Sequence, residues 1–366
     1  MQKSKIILFH INIEYVNPWV FNFIEVLKKI FDVKILYPEN INEEKDYLKI
    51  DNYDFVFSTL NFFSFVYDEN IYFKKYIKNI SSNNLINFIS NYKLIINQAR
   101  FSILISDIDH FHASKKMINE IEKSNSFVIG RNIEFFRSKE KMYKFNLRNE
   151  IFYKLVNNNW RNFVKDNKTR IIALQGTLSE NEFLLEYNFN KKYQISVPGA
   201  LYFQRKKIID TIKKSNIKTY LTSPFFNKIL RITSINKYKS NFIKSIKNST
   251  SCYTNGSALG YPIRKYFEIP ANKSLLLCEP FEGFEHYGFK DGKNCLIVDE
   301  NDILDKFYEF TKDNNKLMKI INQAYNLIYE NHSVEARSRQ LQESINKILK
   351  KNFNGSAWIK GKYVHF

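Results

Sequence analysis

Arg264 and Glu268 stand four residues apart, so a helix over this segment would place both side chains on one face. Pro262 suits the first turn of such a helix, where its missing N–H breaks no hydrogen bond. A helix N-terminus offers free N–H groups and partial positive charge to a pyrophosphate, and Arg264 would add a charge-assisted contact to the same phosphates. Glu268, one turn further on, would accept hydrogen bonds from two ribose hydroxyls. On spacing alone, an exposed Arg–Glu ion pair remains the plainer explanation.

A second group of candidate residues follows a predicted strand in the first half of the chain, at residues 102–106. Asp107 and His110 come directly after it, and open α/β sheets bind ligands at the carboxyl ends of their strands. A carboxylate or imidazole there could take the proton from an acceptor hydroxyl during group transfer. A structural aspartate that caps the next helix explains Asp107 equally well. His10, after the first predicted strand, and His286, in a loop before the last strands, are weaker candidates.

The elements that must position these residues alternate between short apolar runs and amphipathic helices. The predicted strands are residues 5–9, 33–37, 54–60, 94–97, 102–106, 126–129, 170–174, 193–197, 219–221, 274–277 and 295–298. The predicted helices are residues 18–31, 114–123, 142–166, 204–214, 240–247, 262–270 and 303–350, the last of them broken near residue 332. Such alternation predicts a parallel α/β sheet in each half of the chain, with a domain boundary near Lys191.

Length and composition are consistent with two domains. The chain has 366 residues, of which 44% are hydrophobic, and its 33 Phe and 23 Tyr argue against disorder. The three cysteines are widely spaced and form no CxxC pair, so neither a disulfide framework nor a zinc site is indicated and a reducing, cytoplasmic location fits. The first apolar run ends at His10, too soon for a signal peptide, and no run approaches the roughly 18 residues that span a bilayer.

The formal net charge of +19 permits several partners: nucleic acid, an anionic membrane surface or phosphorylated small molecules. The abundance of Lys, Asn and Ile also suggests an A+T-rich genome, which would add lysines without any function. Because the basic residues are scattered along the chain and no nucleic-acid-binding motif is present, charge alone does not select a partner.

Three motifs in the second half carry a resemblance to a known family. They are RKYFEIPA (residues 264–271) before the apolar strand LLL (residues 275–277), DGKNCLIV (residues 291–298) and HSVEAR (residues 332–337). They resemble the C-terminal donor domain of GT-B glycosyltransferases, especially the CgeB-like, glycosyltransferase family 1 type group. The segment SVPGA (residues 196–200) followed by Arg205 is similar to another element of that domain. The resemblance covers roughly residues 190–345 by motif and the first half by architecture.

The resemblance implies an α/β fold with two Rossmann-like domains that face each other across a cleft. Residues 1–190 would form the acceptor-side domain, residues 191–340 the nucleotide-sugar-binding domain, and residues 341–366 a helix and tail that cross back to the first domain. The donor would be held by Gly199, Arg205, Arg264 and Glu268, the last of which matches the glutamate that binds ribose in the wider class. One departure is the turn of residues 272–274, Asn-Lys-Ser, where the family has a small glycine-rich turn.

The implied function is transfer of a sugar from a nucleotide-activated donor to a glycan or lipid-linked acceptor in bacterial surface polysaccharide synthesis. Asp107 and His110 are the catalytic candidates, His10 belongs to the acceptor side, and neither a metal nor another cofactor is required. The basic surface would hold the cytoplasmic enzyme near the anionic inner membrane face.

Three alternatives remain at this point. Asp107 and Asp109 form a D-x-D, the metal–diphosphate motif of the other major glycosyltransferase fold, GT-A. An inactive GT-B scaffold is kept open by the altered turn of residues 272–274. A nucleic-acid-binding protein would account for the charge alone, and is the least supported.

Overall fold

The computed structural model of the chain contains two parallel β-sheets, one in each half, with helices packed on their faces. It describes residues 4–11, 19–42, 53–68, 77, 80–106, 114–130, 158–174, 176–199, 205–221, 234–256, 262–281 and 283–366. The α/β class predicted from the alternation of strands and helices is confirmed.

The first sheet is built from β1 (Lys5–Phe9), β2 (Asp32–Leu36), β3 (Phe55–Thr59), β4 (Phe101–Ile105), β5 (Ser126–Ile129) and β6 (Ile171–Ile172). The helices of this half are α1 (Trp19–Ile30), α2 (Leu60–Asp68), α3 (Ser82–Gln98), α4 (Lys115–Lys123) and α5 (Asn158–Asp166). The strands pair in parallel in the order β2-β1-β3-β4-β5-β6. Along β1, Ile7 and Phe9 enter one hydrophobic core and Ile6 and Leu8 another. Both faces of the sheet are therefore covered at β1, which explains why this strand reads as an unbroken apolar run from Ile6 to Phe9.

The strand predicted at residues 94–97 is wrong, because these residues lie inside α3. Ser81 caps this helix by accepting a hydrogen bond from the backbone N–H of Asn84. The buried side chains Phe88, Tyr92 and Ile95 recur at helical spacing. A run of three apolar residues, here Leu94–Ile96, cannot distinguish a strand from the buried end of a helix, and the longer helical period decides.

The second sheet is built from β7 (Tyr193–Val197), β8 (Thr219–Leu221), β9 (Ser249–Thr254), β10 (Leu275–Cys278) and β11 (Leu296–Ile297). The helices around it are α6 (Lys206–Lys214), α7 (Ile235–Lys247) and α8 (Lys265–Ala271). All neighbouring strands run parallel, in the order β11-β10-β9-β7-β8.

Strand β9 escapes prediction from the sequence because its residues, STSCYT, include no apolar run. Its serines are buried, and hydrogen bonds satisfy their hydroxyls. Ser249 Oγ lies 2.5 Å from Ser196 Oγ on β7, and Ser251 Oγ donates to the carbonyl of Gln194 at 2.9 Å. Small hydroxyl side chains with local partners can thus occupy the middle of a sheet.

The C-terminal part of the chain contacts both halves. It comprises α9 (Ile303–Thr311), α10 (Asn314–His332), α11 (Val334–Leu349), β12 (Ser356–Ile359) and β13 (Lys362–His365). As predicted, the helical region is interrupted at its middle, where Ser333 caps α11. Helix α11 packs on α1 and the core of the first sheet through Leu341 and Ile345. Trp358 of the antiparallel β12–β13 hairpin is buried in the second-half core instead. None of the described helices has the length and apolarity that a membrane-spanning segment needs.

The strand order places a topological switch point in each sheet. From β1 the chain moves outward to β2 and then returns to the other side of β1 with β3; β7, β8 and β9 repeat this pattern. Open α/β sheets bind ligands outside the carboxyl ends of the strands at such points. His10 follows β1, while Pro198 and Asn255 follow β7 and β9, so these residues mark the two expected binding edges.

Candidate functional site

Arg205 lies at the switch point of the second sheet, at the N-terminal end of α6, and its side chain is fully buried. Its Nε donates to Asn255 Oδ1 at 2.6 Å and its Nη1 donates to the carbonyl of Pro198 at 3.3 Å. The guanidinium therefore bridges the carboxyl ends of β7 and β9. Of the residues predicted to face a donor phosphate, Arg205 is the one that this geometry places at the ligand edge of the sheet.

Lys265, the first residue of α8, brings a second cation to the same carbonyl. Its Nζ donates to Pro198 O at 2.8 Å. Burial, and then the neighbouring Arg205, lower the pKa of Lys265 well below its usual value. Lys265 cannot be recognised from the sequence, because Pro198, whose carbonyl accepts its hydrogen bond, is 67 residues away in the chain. The available signal is its position directly after Arg264 in the RKYFEIPA motif.

Gly199 explains how the Lys265 side chain comes so close to the backbone. Its φ is +90°, a left-handed conformation that L side chains rarely adopt, and a Cβ built there would lie 2.8 Å from Lys265 Nζ. The absence of a side chain at Gly199 therefore makes room for the amine of Lys265, which occupies this space. A buried guanidinium and a half-buried amine at one edge of a sheet favour an anion, whose negative charge would keep Lys265 protonated against the effect of burial on its pKa.

Glu279 adds a carboxylate at this edge, immediately after β10. Its Oε1 accepts a hydrogen bond of 2.5 Å from the Tyr253 hydroxyl, and the Tyr266 hydroxyl donates to its backbone carbonyl. Burial raises the pKa of Glu279, while the Tyr253 hydrogen bond and the charge of Arg205 act to lower it. Sequence reasoning also missed this residue, although its place directly after the buried run LLLC was a usable signal.

Arg264 and Glu268 form a buried pair, so the explanation as an exposed ion pair is wrong. Arg264 is 7% exposed, and its Nε donates to Glu268 Oε1 at 2.7 Å. Its Nη1 donates to the carbonyl of Thr177 at 3.2 Å and its Nη2 binds the carboxylate of Glu182. The sequence predicts a phosphate contact for Arg264, whereas in the structure all three guanidinium nitrogens hold protein oxygens.

The local backbone also differs from the predicted helix of residues 262–270. The helix begins only at Lys265, with Arg264 at its N-cap, and is seven residues long. Pro262 precedes the helix instead of forming its first turn. Burial raises the pKa of Glu268 and the nearby Glu182 adds to this effect, while Arg264 lowers it.

The turn of residues 272–274 keeps a left-handed residue without glycine. Lys273 has a φ of +49°. Asn272 Nδ2 donates to the carbonyl of Glu268 at 2.8 Å, and Ser274 Oγ lies 2.7 Å from the carbonyl of Ser249. Side-chain hydrogen bonds on both sides of Lys273 hold the turn in the conformation that glycine adopts at the end of a helix.

On the first sheet, His10 is the one predicted site residue that lies in the described part of the chain; Asp107, Asp109 and His110 lie outside it. His10 is 2% exposed, and neither ring nitrogen has a hydrogen-bond partner among the described residues. Burial lowers its pKa to about 4, so the imidazole is neutral near pH 7. A neutral, buried imidazole at the switch point can accept a proton.

Two further predictions concern His286 and the independence of the site from a metal ion. His286 lies in a short helical turn, Phe284–Tyr287, and its backbone carbonyl accepts a hydrogen bond from the backbone N–H of Gly361 in the C-terminal hairpin. Within the described residues, no group of three or more His, Cys, Asp or Glu side chains could hold a metal ion. Independence from metals and cofactors stays a prediction.

Residues 205–343 match the family model described as glycosyl transferase-like, and this segment contains Lys265, Glu268 and Glu279. No curated protein matches the chain by sequence.

Several solved structures share the fold of the whole chain. HepE of Anabaena, in complex with UDP and glucose, is 9% identical, with a TM-score of 0.52 over 94% of this chain and 100% of that chain. Sucrose-phosphate synthase from Thermosynechococcus elongatus is 8% identical, with a TM-score of 0.54 over 95% of this chain and 100% of that chain. A variant of TarM from S. aureus, in complex with fondaparinux, α-GlcNAc-glycerol and UDP, is 10% identical, with a TM-score of 0.52 over 93% and 99%.

These similarities confirm the GT-B fold that the sequence motifs imply. They remove the structural basis of the GT-A alternative, which relied on the D-x-D spacing of Asp107 and Asp109. The family match covers the segment that carries Arg205, Lys265 and the Arg264–Glu268 pair. The chain therefore has the GT-B fold, and residues 205–343 in its second half match the glycosyl transferase-like family.

Proposed function

We propose that this chain is a glycosyltransferase, which binds a nucleotide-activated sugar at the edge of the second sheet and transfers the sugar to a glycan or lipid-linked acceptor at the first. The observation that carries the proposal is the convergence of Arg205 and Lys265 on the carbonyl of Pro198. A nucleotide sugar leaves behind a diphosphate, and its negative charge grows as the glycosidic bond breaks. Cations fixed in a buried site stabilise such a leaving group.

Each donor residue has a distinct role in this proposal. Gly199 makes room for Lys265 beside the backbone, and Arg205 and Lys265 neutralise the charge of the diphosphate without a metal ion. Glu268 accepts hydrogen bonds from ribose hydroxyls, with Oε1 held by Arg264. No described residue donates a hydrogen bond to Oε2 of Glu268, so this oxygen is available to a ligand. Arg264 thus contributes to donor binding by holding Glu268 in position, and it does not itself contact a phosphate.

The acceptor side is assigned to the switch point of the first sheet. His10 follows β1 at the carboxyl edge of this sheet, and Asp107 and His110, which lie outside the described residues, come after β4 in the sequence. One of them would take the proton of the acceptor hydroxyl. The net charge of +19 would draw the cytoplasmic enzyme toward an anionic membrane face, where lipid-linked glycans are extended for the bacterial surface.

The proposal is tested by the thermal stability of the purified protein with UDP, GDP, CMP or TDP, with and without EDTA. A ligand that binds only the folded state at a hundred times its Kd adds about 2.7 kcal/mol to the free energy of unfolding. We expect one nucleotide to raise the melting temperature and EDTA to leave this rise unchanged. A rise that EDTA abolishes would contradict the metal-free site. Absence of any rise at millimolar nucleotide would support an inactive scaffold instead.

His10→Leu is expected to lower turnover about a hundredfold, a loss typical for removal of a general base, while leaving the protein folded. Leucine fills the buried space without polar atoms that lack partners, so the melting temperature should stay equal or rise. Turnover and melting temperature are measured on the same preparation. His365→Leu, in the C-terminal hairpin, controls for loss of a histidine outside the switch point. Full turnover in folded His10→Leu would exclude His10 as the base.

The same variant has an expected effect on pH dependence. The pKa of His10 is about 4 in the folded chain and 6.5 for an ordinary histidine. Between these values the unfolded state binds a proton that the folded state does not, so His10 makes stability fall as pH falls from 6.5 to about 4. The free energy of unfolding of His10→Leu should fall less steeply there. It should still fall, because His332 is also buried with a lowered pKa.

A further inference from the structure

The segment that leads from the first sheet into the second domain holds Arg264 between two carboxylates. Glu268 accepts from its Nε, and Glu182 binds its Nη2. Glu182 belongs to a short turn whose capping residue, Ser179, donates its backbone N–H to Glu182 Oε2 at 2.8 Å. The carbonyl of Glu182 also accepts from Asn272 Nδ2 at 3.3 Å. The position of Glu182 is therefore fixed by contacts on several sides.

A residue of the first domain reaches the same two groups. Asn22 on α1 is buried, and its Nδ2 donates to Glu182 Oε2 at 2.6 Å and to the carbonyl of Thr177 at 2.8 Å. Arg264 donates to that same Thr177 carbonyl and to the same carboxylate. Asn22 and Arg264 thus meet, from different domains, on one carbonyl and one carboxylate.

The charges of this cluster act on Glu268. One guanidinium stands between two carboxylates, with Arg264 and Glu268 each 7% exposed. Coulombic interactions are stronger in such a buried site than at the surface, because the effective dielectric constant is lower. The charged groups that face Glu268 are Arg264, Glu182 and Lys265. A change at Glu182 therefore alters both the position of Arg264 and the charge around Glu268.

We propose that Glu182 and Asn22 are positioning residues for donor binding: through Arg264 they hold Glu268 in place and couple the donor site to the docking of α1. This inference rests on the proposed function, in which Glu268 contacts the donor ribose. It assigns a role to two residues outside the RKYFEIPA motif. Donor affinity then depends on how the first domain sits against the second.

Glu182→Gln tests the charge part of this inference. The amide keeps the shape of the side chain and removes the carboxylate that raises the pKa of Glu268. Binding needs Glu268 ionised, so the loss of nucleotide affinity at acid pH should move to lower pH in the variant. At neutral pH we expect Kd for the nucleotide to rise about tenfold, since Arg264 loses a charged partner. Kd is measured by calorimetry as a function of pH.

Asn22→Ala tests the coupling between domains without a change of charge. We expect Kd for the nucleotide to rise about threefold to tenfold, as for loss of one hydrogen bond. The loss of nucleotide affinity at acid pH, here called the acid limb, should occur at the same pH as in the wild type. Lys29→Ala is the matched control on the same helix, because Lys29 is half exposed and its ion pair is with Glu335 and not with Glu182 or Arg264. Its Kd should equal that of the wild type. Melting temperatures establish that each variant is folded, and Asn22→Ser replaces Asn22→Ala if the alanine variant does not fold.

The outcomes separate this inference from the proposed function. If the wild-type chain binds no nucleotide, the proposed function fails and the inference fails with it. The second case is a wild-type chain that binds a nucleotide while folded Glu182→Gln and Asn22→Ala bind it with the same Kd and the same acid limb. That result would overturn only the inference. Weaker binding by both variants, with a shifted acid limb in Glu182→Gln alone, would support it.

Discussion

Arg205→Ala is expected to raise the Kd for the donor nucleotide roughly a hundredfold, or about 3 kcal/mol, the usual scale for truncation of one partner of a buried charged hydrogen bond. The guanidinium is fully buried and joins the ends of β7 and β9. Its loss leaves Lys265 as the cation on the Pro198 carbonyl. Because Arg205 lowers the pKa of Lys265, that pKa should rise in the variant. Calorimetric titration of the folded variant with nucleotide measures the change.

Two further variants make this result interpretable. Lys207→Ala removes a cation from the same helix whose side chain is 78% exposed and paired with Glu300, and nucleotide affinity should not change. Arg205→Lys keeps the charge but not the planar fork, so an intermediate Kd is expected. Wild-type affinity in folded Arg205→Ala would mean that the diphosphate is bound elsewhere.

Trp358→Ala is expected to lower the free energy of unfolding by about 3–5 kcal/mol, as for other fully buried large side chains. Its ring lies 4.7 Å from that of His332 and 6.0 Å from that of Tyr287, and the guanidinium of Arg337 is 5.4 Å from its centroid. Truncation would leave a cavity beside a buried cation. Urea denaturation followed by circular dichroism measures the loss.

Ile359→Ala is the control for Trp358→Ala, in the next residue of the same strand. Ile359 is 37% exposed, so its truncation should cost less than about 1 kcal/mol. If the two variants lost equal stability, the hairpin would contribute through its backbone pairing and not through the buried indole.

The sheets could be predicted from the sequence because most of their strands are buried on both faces. Such strands appear as continuous apolar runs, as β1 and β10 do. Strand β9 could not, because its buried hydroxyls depend on partners in other strands, such as Ser196. The β12–β13 hairpin was equally hidden, since its burial depends on the distant residues that surround Trp358.

The candidate site was predictable only where a motif carried it. Gly199, Arg205 and Glu268 were named from the resemblance, and their roles stay predictions. Lys265 was missed, because a lysine in a basic sequence gives no sign that it donates to a carbonyl 67 residues away.

The partners of Arg264 lay further still from the motif. Glu182 precedes Arg264 by 82 residues, and Asn22 reaches the same cluster from the first domain. Spacing within a helix predicts which residues share a face, but it cannot predict what a neighbouring domain brings to that face.

The return of α11 to the first domain has a consequence for synthesis on the ribosome. The core on one face of the first sheet includes Ile6 and Leu8 together with Leu341 and Ile345. A nascent chain that has emerged only as far as β6 therefore exposes an apolar surface that its own residues cannot cover. The N-terminal half must wait for α11 before its packing is complete, although domains generally fold in order of emergence. During that interval, chaperones that bind exposed apolar segments have a defined target on the chain.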